Sequence, residues 1–467
     1  MFSYQAISQY GQSNIKYVTI SKSRTSVSIP VVLPYAHIIS KYSVCQYENR
    51  IYFKKDGFFY KNKFFYIFQL LQEKSVFHDE IRKRIDAIDE QLLPLFIERM
   101  KCAQDVAQAK RELSLPIFNA QRENEILARV AAEAGDFAPE AKMLYTTLMA
   151  LNRSRQHKLL NSGTDIRDEI QTALQKETSL KEVSSGKKIA FQGVPGSFSH
   201  AAATFLFPDC DVYPYESFKD VFEALKNGTV DFGLLPVENS SAGSVVEVYD
   251  LILNYRFSIV GSTTLHVHHC LAAPQGVAIE NIRTVYSHPQ ALAQCSDMIS
   301  SHNWKSIQHS NTAVAAKMLA KMDKENGVTD AAAICSTIAA NMYGLDILQE
   351  DIQNNNQNRT RFAALSKEMI IPKNAEKISL CFSLPHTTGS LYSVLARFAM
   401  TGLNLTKIES RPLKEGNNGE FKYNFYLDFT GNVHHCDTLD LLCSLSQELP
   451  NFSFLGNYVE YDPNDEH

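Results

Sequence analysis

Residues 190–203 read AFQGVPGSFSHAAA, and this stretch sets the class of the long central part of the chain. An apolar run leads into a turn that contains Gly193 and Gly196, and alanines with high helix propensity follow it. The order predicts a strand, a turn and a helix, with Ser197 and backbone N–H groups at the helix N-terminus, where an anion can bind. The turn lacks the GxGxxG and GxxxxGKS/T spacings, which disfavours a dinucleotide or a nucleoside triphosphate as ligand.

The alternation of strand and helix continues beyond this stretch. Short apolar runs predict strands at 189–191, 232–237 and 284–286, and segments with helical periodicity lie at 218–227 and 313–321. We therefore predict an α/β domain over residues 188–368.

The last part of the chain has a different pattern. From residue 377 to about 460 the predicted order is strand, helix, strand, strand, helix, strand, with the helices at 390–401 and 437–449. This βαββαβ order is typical of a ferredoxin-like α+β domain, which we place at residues 375–462.

Three helices are predicted ahead of the α/β domain. Apolar residues recur at helical spacing from residue 79 to about 113, and Pro94 lies inside this first helix, where it is expected to cause a kink. Asn119 is a suitable N-cap for the second helix, and the third runs to about residue 160. Together they predict an all-α domain over residues 73–162.

Two segments receive no domain of their own. The polar residues 163–187 are interpreted as a linker with some helical content. Residues 1–72 contain 16 of the 48 Tyr and Phe, nine Lys or Arg and only two acidic residues, with no sustained helical or strand period. We interpret them as an unassigned extension, and a disordered segment, a mistaken gene start and an organellar transit peptide stay open.

Composition argues against several classes of function. The 467 residues are 45% hydrophobic and 21% charged, as in an ordinary globular protein. No basic run follows residue 72, so nucleic acid is not expected as a partner. The nine cysteines form no CxxC pair and no apolar stretch has the length of a membrane span, which favours a cytoplasmic protein. The His and Cys groups at 266–270 and 434–436 each lie in one stretch, so we predict no metal and no cofactor.

The helical segment carries a first resemblance. The stretch IRKRIDAIDEQLLPLFIERMKCAQDVAQAK (81–110), followed by PIFNAQRE (116–123), resembles the all-helical chorismate mutase domain of bacterial bifunctional enzymes over roughly residues 79–160. The resemblance implies an intertwined dimer of three-helix chains, with chorismate as substrate. It implies catalytic roles for Lys110, Gln156 and Glu123, and substrate contacts from Arg82 (supplied by the partner subunit), Arg99, Arg122, Asn119 and Asn152.

The chemistry suits these residue types. A pericyclic rearrangement of a dicarboxylate needs placement and electrostatic stabilisation but no nucleophile. Arginines can hold the carboxylates, and Lys110 and Gln156, with Glu123, can donate to the ether oxygen as it gains negative charge. Asn119 and Asn152 depart from the family pattern, which often has Asp and Ser there, so we expect altered substrate affinity.

The α/β segment carries a second resemblance. LLPVENSSAGSV (234–245), YSHPQALAQC (286–295), SNTAVAA (310–316) and NRTRFAAL (358–365) follow one another in the order typical of prephenate dehydratase, over roughly residues 188–366. The resemblance implies a two-lobed, periplasmic-binding-protein-like fold that closes over prephenate, with Thr360 as the catalytic donor to the departing hydroxyl. It also implies substrate contacts from Ser197, Asn239, Ser240, Thr312, Arg361 and Phe362, while the role of Glu238 stays open.

The C-terminal segment carries a third resemblance. GSLY (389–392) and ESRP (409–412) are similar to the two motifs by which ACT domains bind phenylalanine across a subunit interface. The resemblance implies an allosteric site formed by Gly389, Leu391, Glu409, Ser410, Arg411 and Pro412. Tyr392 is bulkier than the family residue and is expected to narrow this site.

Together these patterns predict an enzyme that makes phenylpyruvate from chorismate, as a homodimer or higher homo-oligomer inhibited by phenylalanine. Two alternatives from other classes stay open: an amino-acid-binding sensor without turnover, and a dehydratase whose helical part serves only in dimerisation. Arogenate in place of prephenate is also open, because no motif clearly reads the amino group that distinguishes it.

Overall fold

The computed structural model describes residues 15–22, 25–32, 43–47, 50–55, 58–60, 63–160, 164–176, 179–385, 389–412 and 423–463, with side chains from residue 79 onward. The chain forms two compact units, Met1–Arg99 and Met100–His467.

The first unit contains regular structure that the sequence did not predict. Strands β1 (Ile15–Lys22) and β2 (Thr25–Val32) form an antiparallel pair, and β3 (Ser43–Tyr47), β4 (Arg50–Lys55) and β5 (Phe58–Tyr60) form a three-stranded antiparallel sheet. Our expectation of no sustained strand pattern in residues 1–72 was therefore wrong for these segments. Antiparallel pairing satisfies the backbone polar groups without any alternation of apolar and polar residues.

The long first helix, α1 (Lys63–Glu112), also begins earlier than the predicted residue 79. No Gly or Pro lies between residues 63 and 93, so no residue in that stretch would stop a helix. Pro94 lies inside α1, as predicted.

The next two helices confirm the sequence prediction. Helix α2 (Ala120–Ala134) begins after Asn119, whose side-chain oxygen accepts a hydrogen bond from the backbone N–H of Arg122 at 3.0 Å. Helix α3 (Ala138–Leu160) packs antiparallel to α2 after a 3₁₀ turn at Gly135–Phe137. The cap satisfies one of the backbone donors that every helix start leaves unpaired.

The helical content predicted for the linker at 163–187 is confirmed, and its helices pack against the domains on its C-terminal side rather than lying free. The linker forms α4 (Thr164–Leu174) and α5 (Leu180–Ser184). Ile170 and Leu180 are fully buried, Ile170 against the C-terminal sheet and Leu180 against the sheet of the central domain. The segment reads as polar because each short helix buries only one narrow apolar face.

The central domain has two lobes, as predicted. The chain first builds most of lobe one, whose elements are β6 (Lys188–Gln192), α6 (Phe198–Leu206), β7 (Asp211–Tyr215), α7 (Phe218–Lys226), β8 (Phe232–Asn239), β9 (Gly243–Ser244), α8 (Val246–Tyr255) and β10 (Ser258–His266). Capping boxes at Ser179 and Ser217 define the starts of α5 and α7.

Lobe two is a contiguous insertion with its own sheet. Its elements are β11 (Cys270–Ala273), β12 (Thr284–Ser287), α9 (Pro289–Gln294), α10 (Ser296–Ser301), β13 (Lys305–Gln308), α11 (Thr312–Asn326), β14 (Ala331–Cys335), α12 (Thr337–Tyr343) and β15 (Asp346–Gln349). The sheet order is β13-β12-β14-β11-β15. The chain returns to lobe one through β16 (Arg359–Ser366), which pairs between β10 and β8. Two chain crossings therefore connect the lobes.

The C-terminal elements confirm the predicted βαββαβ order: β17 (Lys377–Ser383), α13 (Ser390–Met400), β18 (Leu405–Pro412), β19 (Tyr423–Thr430), α14 (Cys436–Glu448) and β20 (Ser453–Tyr458). They form an antiparallel sheet in the order β18-β19-β17-β20, the ferredoxin-like arrangement. The last strand, β21 (Glu460–Tyr461), leaves this sheet and pairs with β10 at the edge of lobe one. Within the described residues, no helix is both long enough and apolar enough to cross a membrane.

Candidate active sites

A cleft of about 350 Å³ lies between the two lobes. Its walls come from both sheets and from the residues that connect them. The lining residues are Gln192, Ser197, Phe198, Ser199, Phe218, Pro236, Asn239, Val267, His269, His288, Gln290, Ala291, Gln294, Ser310, Asn311, Thr312, Asn358, Thr360 and Phe362. Four of the six predicted substrate contacts, Ser197, Asn239, Thr312 and Phe362, are among them, together with Thr360.

Thr360 and Asn239 form a hydrogen-bonded pair in this cleft. They are opposite partners in the antiparallel ladder of β16 and β8, and Asn239 Nδ2 donates to Thr360 Oγ1 at 2.9 Å. Asn239 Oδ1 accepts from the backbone N–H groups of Ser241 and Ala242, each at 3.0 Å, which fixes the orientation of the amide. Since Thr360 Oγ1 already accepts a hydrogen bond, its hydroxyl proton is left to donate to a bound molecule.

Arg361 and Ser240 do not line this cleft, and the structure does not support their predicted role as substrate contacts. Successive side chains of a strand point to opposite faces, so Arg361 faces away from Thr360. There Arg361 is buried and pairs with Asp428 of β19 at 2.6 Å and with Glu238 at 3.3 Å. Ser240 Oγ accepts from the backbone N–H of Arg359 at 2.9 Å and thereby holds the connection into β16.

The cleft is lined by neutral polar groups rather than by charged side chains. Among the described residues that line it there is no Lys, Arg, Asp or Glu. Ser197 is the N-cap of α6, and Thr312 is the first residue of α11, which is capped by Asn311. Both helix N-termini therefore present partial positive charge and backbone N–H groups at the cleft, where a carboxylate can bind.

His269 is a cleft residue whose role the sequence did not predict, because we had considered its neighbourhood only as a metal site. It is 2% exposed, and its Nε2 lies 3.0 Å from Gln294 Oε1. Burial lowers the pKa of His269, which favours the neutral ring, and the contact with Gln294 Oε1 favours the tautomer that carries its proton on Nε2. Nδ1 has no hydrogen-bond partner among the described residues and is left as an acceptor. Only the tertiary contact with Gln294 shows that the two ring nitrogens of His269 differ in this way.

The helical part of the second unit brings together several predicted mutase residues. Lys110 Nζ donates to the backbone carbonyl of Ile117, and Glu123 pairs with Arg153, a residue that was not predicted. Burial lowers the pKa of Lys110, and the negative charge of Glu123 opposes that shift. The amide oxygens of Asn152 and Gln156, one turn apart on α3, are buried without a hydrogen-bond partner in the described structure. Buried polar atoms of this kind are suited to a bound polar ligand.

The three predicted arginines lie in more open surroundings. Arg122 is exposed and pairs with Glu125 at 3.3 Å. In the first unit, Arg82 is exposed and Arg99 is partly buried, both on α1.

The residues of the predicted phenylalanine site lie at two places in the ferredoxin-like unit. Gly389, with φ of +84°, is the N-cap of α13, and Leu391 and Tyr392 lie in its first turn. Glu409, Ser410, Arg411 and Pro412 belong to β18, the edge strand of the sheet. Arg411 pairs with Glu409 at 2.7 Å and lies 5.1 Å from the ring centroids of Tyr249 and Tyr426, and hydrogen bonds and nearby cations lower the pKa of Glu409 despite its partial burial.

Comparison with known proteins follows these divisions. Residues 189–370 match the family model for prephenate dehydratase, and residues 81–157 match that for chorismate mutase type II. A bifunctional chorismate mutase/prephenate dehydratase from Pseudomonas aeruginosa is 31% identical over 390 residues, which cover 81% of this chain and 96% of that protein. An arogenate dehydratase/prephenate dehydratase from Arabidopsis thaliana is 42% identical over 288 residues, 60% of this chain and 74% of that protein. The structure of prephenate dehydratase from Arthrobacter aurescens in complex with L-Phe is 30% identical, with a TM-score of 0.52, and covers 58% of this chain and 89% of that one.

A two-lobed α/β domain with a Thr–Asn pair in its cleft, joined to a helical domain that brings Lys110, Glu123 and Arg153 together, is the arrangement of an enzyme with a dehydratase and a mutase domain. The chain belongs to the family of bifunctional chorismate mutase/prephenate dehydratases.

Proposed function

We propose that the helical domain converts chorismate to prephenate and that the cleft of the α/β domain converts prephenate to phenylpyruvate. The observation that carries the dehydratase assignment is the Thr360–Asn239 pair. Loss of the ring hydroxyl with decarboxylation needs a hydrogen-bond donor at the departing oxygen, and aromatisation of the ring drives the step. The Thr360 hydroxyl is that donor, oriented by Asn239 and acting in a cleft where neutral groups hold the substrate carboxylates.

For the mutase reaction, we propose that Lys110 and Gln156 stabilise the charge that develops on the ether oxygen, with Glu123 assisting. The partial burial of Lys110 reduces the screening of its charge by water and so strengthens its interaction with a developing negative charge. Arg82, Arg99, Arg122, Asn119 and Asn152 complete the substrate contacts in this proposal. This proposal is supported by the match of residues 81–157 to the family model for chorismate mutase type II.

We further propose that the mutase domain acts in a dimer. One stripe of α1 carries five exposed apolar side chains at helical spacing, namely Ile81, Ile85, Ile88, Leu92 and Leu95, which are 38–62% exposed. A stripe of this kind is the face by which helices associate, and a second copy of the chain is the proposed occupant. The dimer would also supply Arg82 to the partner's site.

Replacing Ile88 with Asp is expected to disrupt the dimer and to lower chorismate mutase activity at least about tenfold, since a charge would be buried at the interface. Light scattering after gel filtration gives the mass, and chorismate consumption gives the activity. Asp89→Asn, next to the stripe, is the control and keeps both. A dimeric, fully active Ile88→Asp variant would contradict this arrangement.

The ferredoxin-like unit is proposed to be an ACT domain that binds L-phenylalanine and inhibits the enzyme. Its ESRP stretch lies on β18, the edge strand of the sheet within the described residues, and an edge strand is suited to pairing with a second copy. The relative from Arthrobacter aurescens, solved with L-Phe, supports the same ligand. Inhibition follows if phenylalanine binds one conformational state better than the other. Domain limits of 73–162, 188–368 and 375–462 remain our proposal.

Arogenate is a second candidate substrate for the cleft. Several similar proteins bear the name arogenate dehydratase, including one from Petunia hybrida that is 40% identical over 284 residues. The acceptor Nδ1 of His269 would favour the ammonium group of arogenate over the keto oxygen of prephenate, which cannot donate. Competition between the two substrates for the purified enzyme decides between them.

The test supplies chorismate alone and follows prephenate and phenylpyruvate with time, with and without L-phenylalanine. Appearance of prephenate before phenylpyruvate, and suppression by phenylalanine, are expected. If supplied prephenate and arogenate are both left unchanged, the sensor interpretation replaces the dehydratase. If the enzyme converts supplied prephenate or arogenate but leaves chorismate unchanged, the helical domain serves only in dimerisation.

A further inference from the structure

A buried ionic cluster joins the helical domain to the ferredoxin-like unit. Helix α3 packs against α13 and α14, and at the contact lie Arg153 and His157 of α3, Arg397 of α13 and Glu448 of α14. The side chains are 10%, 3%, 3% and 8% exposed, so their mutual interactions are weakly screened by water.

Glu448 is the centre of this cluster. Its Oε2 accepts hydrogen bonds from Arg153 Nε and Arg397 Nη1, both at 3.0 Å, and its Oε1 accepts from His157 Nε2 at 2.7 Å. Glu448 is the last residue of α14, where the helix dipole disfavours a carboxylate. The surrounding donors outweigh that effect and lower the pKa of Glu448 to about 2 despite its burial. The carboxylate is therefore ionised and held in one position.

Arg153 connects Glu448 to Glu123, one of the predicted mutase residues. Its Nε donates a hydrogen bond to Glu448 and its Nη1 donates one to Glu123. Its guanidinium lies 5.2 Å from the ring centroid of Phe118. A planar guanidinium with both edges occupied has a defined orientation. Direct contacts therefore run from Glu448 through Arg153 to Glu123, and the charge of Glu123 acts on Lys110 by raising its pKa against the effect of burial.

We propose that Glu448 is a positioning residue for the chorismate rearrangement, so that the ferredoxin-like unit completes the mutase site through Arg153. The inference rests on the proposed mutase function and deepens it. Without Glu448, Arg153 turns toward Glu123 alone, and the geometry of Glu123 relative to substrate changes. A small displacement of a group that acts on the transition state lowers the rate more than it weakens substrate binding.

Glu448→Gln in the full-length enzyme tests this. The mutase kcat is expected to fall about tenfold with KM changed less than about threefold, while dehydration of supplied prephenate is unchanged. Asp437→Asn is the matched control, because Asp437 forms an exposed ion pair with Lys158 at the same contact between α3 and α14. It should leave both activities unchanged. If the parent enzyme converts chorismate and the Glu448→Gln variant does so equally fast, the inference is overturned, while the proposed mutase function stands.

A purely structural role is separated by a second variant. Glu448→Gln leaves the buried Arg397 without its carboxylate, and the Glu448→Gln/Arg397→Gln double variant removes that unpaired charge. If positioning is the role, the double variant regains thermal stability but not mutase kcat, and Glu448→Asp restores part of kcat. Recovery of kcat in the double variant overturns the inference. A parent that never consumes chorismate overturns the proposed mutase function, and the inference with it.

Discussion

Thr360→Val is expected to lower the dehydratase kcat by a factor of about 10² to 10³ while chorismate is still converted to prephenate, which accumulates. Valine keeps the shape of threonine but removes the hydroxyl that donates to the departing oxygen. It also leaves Asn239 Nδ2 without its acceptor. Timed assays with chorismate and with prephenate as the supplied substrate measure the two steps separately.

Two companion variants sharpen the result. Thr360→Ser keeps the hydroxyl and should retain most of the activity. Thr264→Val on the adjacent strand β10 removes a threonine hydroxyl outside the cleft, one that donates to Glu460 at 3.3 Å, and should leave dehydration unchanged. Undiminished turnover by Thr360→Val would transfer the donor role to another cleft hydroxyl, such as that of Ser197 or Thr312.

Lys110→Met is expected to lower the mutase kcat by a factor of about 10² to 10³ and to leave the dehydration of supplied prephenate intact. Methionine fills similar space but provides no cation for the ether oxygen. Lys101→Met is the matched control, since Lys101 is exposed on the same helix. Equal chorismate consumption by the parent and Lys110→Met would remove Lys110 from the proposed site.

The pH dependence of the mutase adds a second measurement on Lys110. Burial lowers its pKa, and the protonated form is the one that stabilises negative charge. Mutase activity should therefore decline as pH rises through this lowered pKa, at lower pH than for an exposed lysine. The decline should be absent from the residual activity of Lys110→Met.

Local patterns in the sequence determined most elements of the second unit. The caps and periods around Asn119 and the βαββαβ order of residues 377–458 depend on neighbours within a few residues, so they are visible without a tertiary structure. The motif that contains Thr360 was found for the same reason. The extent of α1 and the burial of α4 and α5 were not, because the start of α1 lacks a clear helical period of apolar and polar residues, and narrow apolar faces give weak local signals.

Tertiary structure alone decided which of these residues meet. Thr360 pairs with Asn239 across 121 positions of sequence, and strand alternation sends Arg361 to the opposite face, toward Asp428. His269 gains its free acceptor only through Gln294, and Arg153 meets Glu448 across 295 positions. Each of these contacts depends on the register of strands or the packing of helices, which long-range burial selects and which no short stretch of sequence specifies.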